Sequence, residues 1–187
     1  TTLSSDTNLT DETYTSSNKD ENAVLAENKA NVTMESVTVE KTGDSDGGDA
    51  TSFYGNNSAV LAKDGATLTI NNATIKTDAP GANGVFSYGG SATTNNSSND
   101  GTTVVISNST ITTSKDNSGG IMTTGGGTTK ATNLNITTAG TSSATIRTDR
   151  GGGTVTVDGG TYKTTGQGSP TIYSMADISV SNAKLTS

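Results

Sequence analysis

Two short phrases alternate along this chain, and their fixed offset constrains the fold more than any other feature. The first sets Thr and apolar residues in alternation around a turn-forming pair. It occurs as VTMESVTVEKT (32–42), LTINNATIKT (68–77), VVISNSTITT (104–113), TKATNLNITT (129–138), VTVDGGTYKT (155–164) and ISVSNAKLTS (178–187). Its last apolar residues are Val39, Ile75, Ile111, Ile136, Tyr162 and Leu185, separated by 36, 36, 25, 26 and 23 residues. The second phrase falls between them as NAVLAE, SAVLAK, GVFSYG, GGIMTT, SATIRT and PTIYSM. It is centred on Leu25, Leu61, Phe86, Met122, Ile146 and Ile172, each two residues after Ala23, Ala59, Gly84, Gly120, Ala144 or Pro170. Two registers with one pitch indicate a repeat of 23–26 residues, stretched to 36 where a loop is inserted.

Helical repeats are excluded, because they need longer runs with apolar spacings of three and four and few Thr or Gly. Here the spacing is two and the residues are β-branched, so each phrase reads as two short strands. One apolar set faces inward on both sides of Asn71–Asn72 only if the chain bends there. The residue three before each anchor is Ser36, Asn72, Asn108, Asn133, Gly159 or Asn182. Asn and Gly tolerate the left-handed conformation that such a bend demands. Stacked one above another, these side chains are expected to form an amide ladder.

The predicted fold is all-β: a right-handed parallel β-helix, a solenoid of six to seven coils of 23–26 residues with two inserted loops. The handedness follows from the general crossover rule. Tyr14, 25 residues before Val39, marks a partial coil at the start. A narrow core shared between neighbouring coils accounts for a hydrophobic content of only 28% and a mean hydropathy of −0.45. A β-sandwich of antiparallel strands also explains the alternation, but not the constant offset between the phrases. Residues 1–187 are read as one domain, with inserted loops at 43–58 and 89–101 protruding from related corners. With no starting Met, no leader and an uncapped last coil, the chain reads as a segment of a longer protein with flanking domains.

Taken together, these phrases resemble the right-handed β-helix segments of adhesin-like bacterial surface proteins, within the pectate-lyase-like superfold. The resemblance spans nearly the whole chain but carries no family-specific catalytic motif. It implies an extracellular or cell-surface module that binds glycan or a host surface protein, or that acts as a stalk.

Charge and residue types narrow the function. Eleven Lys and Arg against 18 Asp and Glu give a net charge of −7, and no basic run follows a phosphate backbone, which argues against nucleic acid. No apolar stretch is long enough to insert in a membrane as a helix. His and Cys are both absent. Polysaccharide-cleaving β-helices are the main enzymatic alternative, and they need paired carboxylates or a base beside acidic groups. The best cluster for that is Arg147, Asp149 and Arg150, with Lys63–Asp64 and Tyr173 as residues that stack near it. It does not make a catalytic dyad, so no catalytic residue is assigned and no cofactor is required.

Three other features stand out. DSDGGD places Asp44, Asp46 and Asp49 on a Gly-rich loop that suggests calcium, although the closing Glu of an EF-hand is missing. NNSSND at 95–100 is a weaker version. Phe53, Tyr54 and Tyr88 lie in or beside the insertions and are the candidate binding aromatics, since exposed rings stack on sugars or bury against proteins. The same Phe53 and Tyr54 equally suit folding back on the coil. Finally, Thr columns on either side of the anchors raise an ice- or crystal-face-binding alternative. The first is Thr38, Thr74, Thr110, Asn135, Thr161 and Lys184; the second, broken by charges, is Glu40, Lys76, Thr112, Thr137, Lys163 and Thr186.

Overall fold

The computed structural model describes residues 1–91 and 99–187. All strand pairings among the described residues are parallel, and they form an all-β, solenoid-type arrangement of curled sheets. The first ladder has seven strands: Thr2–Leu3, Val24–Ala26, Val60–Ala62, Val85–Tyr88, Ile121–Thr124, Ile146–Thr148 and Ile172–Tyr173. The other two ladders are joined through two long strands, Gly127–Thr138 and Gly153–Thr164, each bent in the middle. A second ladder climbs through Asn31–Glu35, Thr67–Asn71 and Thr103–Ser107 to the first halves of those long strands. A third climbs through Thr38–Lys41, Thr74–Thr77 and Thr110–Thr113 to their second halves.

The bend between the second and third ladders sits where the sequence places it. Ser36, Asn72, Asn108, Asn133, Gly159 and Asn182 all have φ between 50° and 74°, and Asp11 extends the column with φ 55°. The amide ladder forms in segments. Asn108 Nδ2 donates to Asn71 Oδ1 at 3.0 Å, and Asn133 Nδ2 donates to Asn108 Oδ1 at 3.1 Å. Gly159 interrupts it, and Asn182 Nδ2 then donates to Asp158 Oδ1 at 2.7 Å. At the other end Glu35 accepts from Asn71 and Asn72, and these bonds hold its carboxyl below the usual Glu range.

Alternate residues of each ladder point into one narrow core. Val39, Ile75, Ile111, Ile136 and Tyr162 form one buried column, with Tyr14 half-buried at its start. Val24, Val60, Val85, Ile121 and Ile146 face them from the first ladder. Each such side chain contributes roughly 1.5–3 kcal/mol by leaving water, so five-membered columns suffice without large residues. Where Thr129 replaces the aliphatic residue at its level, its hydroxyl meets that of Thr123 at 2.7 Å inside the core.

Two expectations are corrected. In the first ladder, Ile146 and Ile172 align with Ile121 and Val85, so Arg147 and Tyr173 occupy the outward column of Leu25, Leu61, Phe86 and Met122. The slip arises because only the inward column must be aliphatic, and the outward one accepts a polar residue. The insertions also leave two different corners. Loop 43–58 joins the third ladder to the first, whereas loop 89–101 joins the first to the second. The first does not protrude but folds back over the first ladder, with a short helix at Gly48–Ser52. Much of the second lies outside the described residues.

Candidate functional site

The first ladder has an outer face with two different parts. Leu61, Phe86 and Met122 are buried there in a small apolar cluster separate from the core, with Leu25 and Tyr88 at its edge. The 43–58 insertion covers them as a strap. Gly55 lies directly on the cluster: a Cβ there, at φ +82°, would stand 2.5 Å from Leu61 and 2.9 Å from the Phe86 ring. Asn22 Nδ2 donates to the carbonyls of Gly55 and Ser58, both at 2.9 Å, and Thr124 Oγ1 donates to the Phe53 carbonyl at 2.7 Å. Arg150 fixes the far side, with its guanidinium 3.9 Å from the centre of the Phe53 ring and 2.5 Å from Asp49 Oδ2.

The aromatic candidates therefore belong to this strap. Phe53 and Tyr54 are half-buried, and Tyr54 packs at 5.3 Å between ring centres on Tyr88, tilted by 51°. Burial pushes the Tyr88 hydroxyl above its usual pKa. The three aspartates are not drawn together. Asp46 pairs with Lys19, Asp49 with Arg150, and Asp44 Oδ1 accepts from its neighbour Ser45 N at 2.7 Å. Among the described residues, no group of three His, Cys, Asp or Glu is placed to hold a metal ion. Most of NNSSND lies outside the described residues.

Beyond Met122 the same outward column is open. Arg147 and Tyr173 continue it, with the guanidinium 5.2 Å from the centre of the Tyr173 ring. They line a groove of about 310 Å³ together with Asn117, Ser142, Ala144 and Pro170. Asn117 and Ser142 sit at a left-handed corner, with φ 56° and 54°, which turns them toward the groove's rim. Asp149 is 7% exposed and accepts from Arg147 Nε at 3.1 Å and from its Nη2, so the arginine is locked beside the tyrosine. Tyr173 is 42% exposed. The groove thus offers an aromatic face, a fixed set of N–H donors and small polar groups, with its one cation already balanced.

Of the Arg147, Asp149 and Arg150 cluster, the first two act together and Arg150 instead serves the strap. Lys63 is elsewhere, paired with Glu27 at 3.3 Å and Asp64 at 3.5 Å. Both Thr columns form in the register expected, and Thr161 Oγ1 donates to Asn135 Oδ1 at 3.0 Å along the first. The groove itself was not visible in the sequence as a site. Its signal was the Arg and Tyr at positions that are apolar in four earlier repeats. No protein-family model, no characterised protein and no solved structure matches the chain.

Proposed function

We propose that the chain is a right-handed parallel β-helix of seven coils from an extracellular cell-surface protein, acting as a non-enzymatic module that binds glycan at Arg147 and Tyr173. The observation that carries this reading is the open groove that extends the outward column past the strap. An exposed tyrosine face covers the apolar C–H side of a pyranose ring, while Arg147, Asn117 and Ser142 meet its hydroxyls. Because Asp149 neutralises Arg147, a neutral sugar suits the groove better than a polyanion. The ladders beneath hold these groups in place, and among the described residues no loop closes over them.

A glycan array probed with the purified chain tests this. The expected result is binding to a set of neutral glycans that falls about tenfold or more on Tyr173→Ala, as for a central aromatic anchor. Absence of binding on the array, together with capture of a host-surface protein through the same face, would favour the protein-binding form of the module. Absence of both would leave it a spacer.

A further inference from the structure

One inward column of the third ladder reads Ser16, Lys41, Thr77, Thr113, Thr138 and Thr164. It carries a hydroxyl at every level except one, where a lysine is completely buried, with 0% of its surface exposed. None of the ion pairs among the described residues involves Lys41. Its Nζ donates to the backbone carbonyls of Asn18 at 2.8 Å and Gly43 at 2.9 Å. An ammonium has three N–H donors and a neutral amine has two. The two acceptors therefore satisfy the neutral amine and leave its lone pair free. Burial acts in the same direction, lowering the lysine's pKa. Gly43 is what admits the amine, since a Cβ there would stand 2.0 Å from Asn18 O and 2.4 Å from Nζ.

The Gly43 carbonyl accepts a second hydrogen bond, from Asn57 Nδ2 at 2.9 Å. Asn57 is also completely buried, and its Oδ1 has no hydrogen-bond partner. An amine with a free lone pair and a carboxamide with an unpaired carbonyl oxygen thus meet on one backbone oxygen, away from water. We propose that Lys41 and Asn57 join in an isopeptide bond. Nζ attacks Cγ, the new C–N bond forms as the Cγ–Nδ2 bond breaks, and a proton from Nζ passes to Nδ2, which leaves as ammonia. No oxidant or cofactor enters the balance. The cross-link closes the strap at its base, covalently joining the third ladder to the end of the loop that leads into the strand Val60–Ala62.

Intact-mass spectrometry of the denatured wild-type chain tests the bond. The expected mass is lower than the sequence requires by one ammonia, about 17 Da. Trypsin then fails to cut after Lys41, so residues 30–63 persist as one fragment, and chymotryptic cleavage at Phe53 or Tyr54 leaves its two pieces joined. Asn57→Ala restores the full mass and cleavage after Lys41. The proposal is overturned by a wild-type chain of full mass that trypsin cuts after Lys41, or by an ammonia loss that maps to a succinimide at another asparagine. The wild-type reading decides the matter even where a variant does not fold.

Discussion

The outer face of the first ladder and the core behind it differ in how they are held together. Away from the two ends, each core residue is covered by its equivalent one level up and one level down, so Ile75 lies between Val39 and Ile111. On the outer face, Leu61, Phe86 and Met122 are covered by a strap whose contacts occur once each: Gly55 on Phe86, Arg150 on Phe53, Asn22 on two carbonyls. The core is therefore redundant in sequence and cooperative in energy, while the strap depends on individual pairs. Past the strap the same column is left open as the Arg147–Tyr173 groove.

The largest effect should come from placing a charge in the repeated core. Ile75→Asp leaves an unpaired carboxylate with no water, at a cost of about 4–5 kcal/mol, and loss of a cooperative thermal transition by circular dichroism is expected. Phe86→Ala empties the outer cluster instead and costs about 3 kcal/mol in chemical denaturation, with the ladders intact and the strap released to proteases. Equal losses of far-UV signal in both variants would erase the distinction between the two regions.

Alkali probes the core through its buried phenol. Burial raises the Tyr162 pKa to about 12, against about 10 when unfolded. The neutral phenol is favoured in the folded core, so its contribution is complete below pH 10 and is lost as pH rises toward 12. Denaturation midpoints are expected to fall across that window, and Tyr162→Phe to remove that part of the fall. At the bend, Asn108→Ala imposes a left-handed alanine and breaks two ladder bonds, costing about 1–2 kcal/mol, whereas Asn108→Gly costs less. Arg150→Ala should have the smallest global effect: the melting transition stays put while cleavage within residues 43–58 accelerates.

The same redundancy explains what the sequence made legible. Period-two alternation, the Asn at each bend and the Thr columns were readable because each is stated again at every level. The strap was not, since nothing in the order of Phe53, Gly55 and Arg150 says that residues about a hundred apart meet. Phe53 and Tyr54 were visible as unusual aromatics, but which way they turn depends on the apolar column beneath them. The groove was hidden by a one-residue ambiguity: Ile146 and Ile172 fit either column by hydrophobicity, and only the backbone register puts Arg147 and Tyr173 outside. Lys41 departs from a hydroxyl column that only the backbone register defines, so its sequence carries no separate signal.

The division of the outer face is tested most directly by NMR shift mapping on the backbone-assigned chain, titrated with the tightest glycan from the array. Shifts confined to the open groove are expected, around Asn117, Ser142, Arg147 and Tyr173, with Phe53, Tyr54 and Tyr88 unmoved. Shifts centred on the strap aromatics, or on the outward Thr columns of the third ladder, would contradict it.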